Sequence, residues 1–280
     1  MSEFNCLKIA FGDFQTPPEL AREVCSFLKT QGIHPRTILE PTCGVGNFLG
    51  EAAEAWPHAH RLLGFEVNAD YVARARARVQ DPRAVFHVAD FFATAWEKVL
   101  SGLPHPILVL GNPPWVTNAK MRSTGAANLP TKSNFQGHSG FDSITGKANF
   151  DISEWMLLKT LDWCERHQAS IALLVKVSVA RKVLSGAWKD QRRVGRAAIF
   201  RIDAKRWFGA AVDACLLTFF PSPAPETSCP IHPTLGSSES VVMGYKAGDV
   251  VSDIRKYEAV ADLLGGSPAR WRSGVKHDCS

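Results

Sequence analysis

Three acids stand at or just beyond the ends of three short apolar runs. Glu40 closes Thr37–Glu40 and opens L-E-P-T-C-G-V-G-N-F-L; Glu66 closes Arg61–Glu66; Asp90 closes Ala84–Asp90. Gly44 and Gly46 bring the backbone against a ligand with no Cβ in the way. A dinucleotide fold wants a third glycine for its pyrophosphate, where this chain has Leu49. Glu40 would also repel a phosphate, so the turn suits a ligand that carries a positive charge. Glu66 lies about 20 residues after Gly46, the separation at which an acid binds ribose hydroxyls, and Asp90 can accept from an adenine amino group. Together the three describe a pocket for an uncharged nucleoside with a cationic tail. A fourth run, Ile107–Leu110, stops on Gly111-Asn112-Pro113-Pro114-Trp115. The Asn112 side-chain oxygen and the Pro113 carbonyl are two acceptors for the two N–H groups of a planar amine. The prolines fix φ and remove competing donors, which presents that carbonyl rigidly.

Strand-like runs must carry these residues. Thr37–Glu40, Arg61–Glu66, Ala84–Asp90, Ile107–Asn112, Ala169–Lys176 and Ala214–Phe220 alternate with helical patterns, among them 47–56 and Asp151–Glu165. Alternation of this kind predicts an α/β fold: a mostly parallel sheet, helices on both faces and a late strand. Ligands of such sheets bind at the carboxyl ends of the strands, where all four motifs fall. Thr16, Pro17 and Glu19 read as a helix start, with Thr16 as cap and Pro17 at the first position. The stretch 116–149 is polar and without period, too long for a simple connection, and 221–240 reads as a Pro/Ser-rich loop or linker. The 280 residues carry 45% hydrophobic side chains and a net charge of +5, which permits a polyanionic partner. Seven cysteines form no C-x-x-C pair, so reduced thiols in a prokaryotic cytoplasm are expected rather than disulfides or zinc. No secretory signal or apolar run long enough to span a bilayer is present, so no membrane partner is expected.

The four motifs, in this order, resemble those of the S-adenosylmethionine-dependent amino-methyltransferases, and within them the N6-adenine DNA methyltransferases of restriction–modification systems. The arrangement resembles the γ type, in which cofactor motifs precede Asn-Pro-Pro. The likeness runs from about Phe11 to Pro221 and implies a Rossmann-like class I methyltransferase fold whose late strand is antiparallel. It implies S-adenosylmethionine as cofactor, bound by Glu40, Pro41, Gly44, Gly46, Glu66, Val67, Asp90, Phe91 and Asn112. F-G-D-F-Q-T-P-P is similar to the family's N-terminal cofactor motif and would set Gln15, Thr16 and Pro17 against the methionine end. Catalysis would fall to Asn112, Pro113, Pro114 and Trp115. The amine would be the N6 group of an adenine flipped out of duplex DNA and stacked on Trp115. A second stacking wall is expected from Phe208, with Trp207 behind it; Phe150 is expected to pack before the helix cap at Asp151 or Ser153.

Phosphate contacts are expected from Lys120, Arg122, Lys132 and Lys147 after the catalytic tetrapeptide, and from Arg181 and Lys182 in a basic region, 176–206, with few acids nearby in sequence. Residues 1–235 are expected to form the catalytic domain. Residues 236–280 read as a linker and the beginning of a target-recognition region, which invites a separate specificity or restriction subunit as partner. The alternatives are a methyltransferase of the same fold acting on glutamine or RNA, and a non-catalytic subunit that binds DNA or cofactor.

Overall fold

The computed structural model describes residues 14–116 and 151–263. Five parallel strands form one half of a sheet: β1 (Thr37–Glu40), β2 (Arg61–Glu66), β3 (Ala84–Val88), β4 (Ile107–Gly111) and β5 (Ser170–Lys176). Then come β6 (Arg196–Ile202) and β7 (Ala214–Phe220), and beyond them β8 (Ser228–His232), β9 (Val241–Lys246) and β10 (Asp249–Val251). The order across the sheet is β10-β9-β8-β6-β7-β5-β4-β1-β2-β3. The chain begins at β1, works outward to β3, then returns to β4 on the other side of β1. That reversal opens a crevice at the carboxyl ends of β1 and β4. β7 is the expected late antiparallel strand, inserted between β5 and β6.

Alternation along the central strands splits the core into two layers. Ile38, Leu62, Leu108, Leu110 and Leu174 face α1 (Pro18–Thr30), α2 (Asn47–Ala55) and α3 (Ala69–Arg78). Leu39, Leu63, Val109, Leu173 and Leu217 face α4 (Trp96–Ser101), α5 (Ile152–His167) and α6 (Val177–Lys189). Helices therefore cover both faces. A short α7 (Ala204–Phe208) follows β6, and α8 (Ile254–Ala259) follows β10.

Three sequence expectations change. The first helix begins one residue later than expected: Pro17 is its cap residue, Pro18 its first, and no side chain caps it. Thr16 is drawn inward instead, 6% exposed, with its carbonyl taken by Asn47. Second, the 221–240 linker contains β8, which pairs in parallel with β6. β9 and β10 continue the same sheet, so it runs on through residue 235. The Pro and Ser content of this stretch masked a strand whose buried residue is Cys229. Third, β6 was hidden in a run of arginines, although its Ala197, Ile199 and Phe200 are buried.

No helix among the described residues is long and apolar enough to cross a membrane. Nor does any group of His, Cys, Asp and Glu among them suit a metal. The five described cysteines are buried and unpaired.

Candidate active site

The glycine turn is held from two sides. Gly44 and Gly46 have φ of +51° and +79°, the left-handed region that glycine enters at little cost. The Val45 N–H donates to Gln15 Oε1 (3.1 Å) and the Gly44 N–H to Glu66 Oε2 (3.0 Å). A Cβ on Gly44 would run into the Gln15 amide. The other oxygen of Glu66 accepts from the Asn68 N–H at 2.9 Å. Each carboxylate oxygen has two lone pairs, so these bonds orient Glu66 and still leave it able to accept from a ligand. Val67 and Val88, at the ends of β2 and β3, are 51% and 54% exposed and offer an apolar surface beside it.

Asp90 is half-buried, and its Oδ1 accepts from the Phe92 N–H at 2.8 Å, so it shapes the turn after β3. Phe91 points elsewhere. It is 5% exposed and packs on Trp96, Trp155 and Trp163 in the α4–α5 layer. Asp90 and Phe91 both follow the end of β3, where the chain turns and the two side chains part.

Glu40 is 3% exposed, with Pro41 buried beside it. An N–H of Leu49 reaches its carboxyl, while Oε2 has no partner among the described residues. Burial pushes this carboxyl well above the usual carboxylate range; the Leu49 N–H pulls it back, and nearby Glu66 adds to the rise. β4 passes directly alongside: a Cβ on Gly111 would sit 3.3 Å from Glu40 Cγ.

One residue on, Asn112 donates through Nδ2 to the Phe14 carbonyl (2.9 Å), and its Oδ1 is buried without a partner among the described residues. That donation decides which way the amide faces. Asn47 repeats the pattern: its Nδ2 donates to the Thr16 carbonyl (2.6 Å) and its Oδ1 has no partner among the described residues. The segment Phe14–Thr16 is thus a strap clasped by two asparagines and by the Val45 N–H. Buried polar atoms are nearly always paired, so three lone acceptors (Glu40 Oε2, Asn47 Oδ1 and Asn112 Oδ1) on neighbouring elements call for a ligand rich in donors. This donor-seeking set fits a cofactor that carries an ammonium group.

Pro113 is buried and Pro114 half-buried. Trp115 is 5% exposed, its indole N–H donating to the Leu174 carbonyl at 3.1 Å. Two half-buried rings pack on it: Phe208 at 5.1 Å, edge-on, and Phe14 at 5.7 Å, tilted. The structure therefore brings Trp115 and Phe208 together, with Trp207 under the Arg206 guanidinium (4.4 Å). Sequence reasoning missed Phe14 and Asn47. Phe14 lay inside the quoted N-terminal motif, and Asn47 directly after the second turn glycine. Their roles rest on contacts across as many as 98 residues of chain, which no local pattern reports.

The basic region divides. Lys182 pairs with Glu154 (2.8 Å), Lys176 with Asp151 (2.6 Å), and Arg192 with both Asp162 and Glu165 (2.6 and 2.7 Å). The acids missing nearby in sequence are supplied by α5 and its cap. Arg181 is half-buried on α6. The polarity of β6 places Arg193 and Arg196 at the sheet edge away from the site, whereas α7, with Lys205 and Arg206 exposed, follows the carboxyl end of β6 on the site's own edge. Lys120, Arg122, Lys132, Lys147 and Phe150 lie outside the described residues. Asp151 does cap α5, accepting from the Ser153 N–H (3.0 Å). The Ile152 N–H donates to the Val116 carbonyl (2.9 Å), so the start of α5 is tied to the segment that follows β4.

No protein-family model matches the chain. It is 37% identical over 278 residues to a type II methyltransferase, M.NspV of Nostoc sp.; the match covers 98% of this chain and 58% of that protein. The chain thus spans little more than half the length of that relative. Among solved structures it is similar to a Listeria monocytogenes protein described as a class I S-adenosylmethionine-dependent methyltransferase (TM-score 0.55, 15% identity, 80% of this chain and 67% of that one). It is also similar to the methyltransferase subunit of a type I restriction–modification system from Streptococcus thermophilus (TM-score 0.51, 12% identity, 89% and 52%). At these identities the structures speak for the fold alone. The fold is that of the class I methyltransferases, and S-adenosylmethionine is the cofactor expected of it.

Proposed function

We propose that this relative of the restriction–modification methyltransferases is the catalytic part of an enzyme that methylates DNA on the N6 amine of adenine. The observation that carries the reading is Asn112. Its amide is turned by the Phe14 carbonyl so that a buried, unpartnered Oδ1 stands at the carboxyl end of β4, beside the rigid Pro113. The relationship to a type II methyltransferase supports the substrate class.

When bound, S-adenosylmethionine supplies a methyl group on a positively charged sulfur. Glu40 and Asn47 would receive its cationic methionine end, Gln15 would steady the glycine turn, and Glu66, with Val67 and Val88 alongside, would take the nucleoside. An adenine N6 amine is a poor nucleophile because its lone pair is delocalised into the ring. Accepting from both its N–H groups, with Asn112 Oδ1 and the Pro113 carbonyl, localises that pair and aims it. This is positioning and electrostatic preorganisation. Asn112 is neutral and does not keep the amine proton, which leaves to solvent. The base reaches the site by flipping out of the duplex, against the ring cluster of Phe14, Trp115 and Phe208.

Incubation of the protein with duplex DNA and methyl-labelled S-adenosylmethionine, followed by digestion to nucleosides, tests this reading. The label is expected in N6-methyladenine, and Asn112→Ala is expected to lower the rate by about 100-fold or more. Label recovered in cytosine or in protein glutamine, or an undiminished rate in the variant, would sink it.

A further inference from the structure

Glu40 has a property that cofactor binding alone does not require. Its carboxyl is 3% exposed, and one oxygen has no partner among the described residues. Among the described residues, the titratable groups coupled to it are Glu66 across the turn, Cys25 on α1 and Cys43 in the turn itself. None of them is a cation. Both thiols are pushed up by burial first and by Glu40 next, so they stay protonated. A buried carboxylate without a counter-charge costs several kcal/mol, and such a group neutralises instead. The Leu49 N–H is the single offset among the described residues, and a lone hydrogen bond does not repay that cost.

We propose that Glu40 is a proton-coupled counter-ion: it holds a proton in the cofactor-free protein and releases it to solvent when the cationic methionine end of S-adenosylmethionine seats beside it. The inference rests on the cofactor reading above and adds a stoichiometry to it. No bond other than Glu40 O–H breaks, and the positive charge that leaves as a proton is replaced by that of the ligand. The sign follows. Below the pH at which Glu40 ionises in the empty site, each cofactor bound expels a proton, so affinity falls with falling pH by up to about tenfold per pH unit. Above it, affinity is level.

The test is titration calorimetry of the protein with S-adenosylmethionine in two buffers of different ionisation enthalpy. It is run at about pH 6, where an α-amino group is protonated and contributes nothing. About one proton released per cofactor is expected, falling toward zero as pH rises. Glu40→Gln, which mimics the protonated side chain, is expected to bind more weakly, with no release and a level pH dependence. Infrared spectra of the wild-type protein give a readout free of any variant: the protonated-carboxyl band is expected to disappear on adding cofactor. Binding without proton release, or release that persists in Glu40→Gln, overturns the coupling while leaving the cofactor assignment standing. Absence of binding overturns the assignment, and the coupling with it.

Discussion

At the scale of single residues, the site is a set of acceptors positioned by main-chain bonds. Gly44 illustrates the economy. Its φ of +51° and the Gln15 amide against it leave no room for a side chain. Gly44→Ala is expected to cost about 1–2 kcal/mol in a urea melt from the left-handed backbone. It is also expected to weaken S-adenosylmethionine binding by about tenfold or more in calorimetry, because the displaced Gln15 releases the Val45 N–H. A variant that binds the cofactor normally would show that the strap does not steady the turn. The placement of Glu40, Glu66 and Asn112 at strand ends was legible in the sequence because residue type and the end of an apolar run are both local. The unpartnered oxygens were not. Whether an amide is half satisfied depends on a carbonyl such as that of Phe14, far away in the chain.

At the scale of elements, strands that are continuous apolar runs declared themselves, and β1, β2, β4, β5 and β7 stand where those runs put them. β6 did not, since Arg196 and Arg201 flank its buried centre and drew attention to charge rather than to burial. The partner of Lys182 was hidden for a related reason: a helix face is judged from its own residues, whereas α5 brings Glu154 against it. Two predictions separate the roles. If α7 borders the DNA, Lys205→Ala is expected to weaken DNA binding at every sequence and to reduce the slope of log affinity against log salt by about 1. Lys182→Ala is expected to leave that slope unchanged and to lower thermal stability, because Glu154 is then buried without its partner. Equal effects on the slope would place both lysines on the DNA.

At the scale of the molecule, the sheet does not end with the strands that carry the site. β8, β9 and β10 lengthen it, and Cys229 and Met243 join the α4–α6 core layer. Removing residues from 228 onward would expose the β6 edge and leave that layer open. Such a chain is expected to melt several degrees lower and to self-associate in light scattering; unchanged melting would mark these strands as an independent appendage. The two-layer α/β plan was readable from alternation, but the extension was not, because Pro and Ser mask a strand that pairs at a sheet's margin. The bond between Ile152 and Val116 has its own consequence. It makes the two ends of the intervening stretch neighbours, and Val116 and Ile152 stand as the two posts of a closed doorway. That bond holds the segment after Asn112 to the start of α5 whatever lies between the posts. Natural variation can therefore rewrite what stands beside the doorway without renegotiating the room behind it.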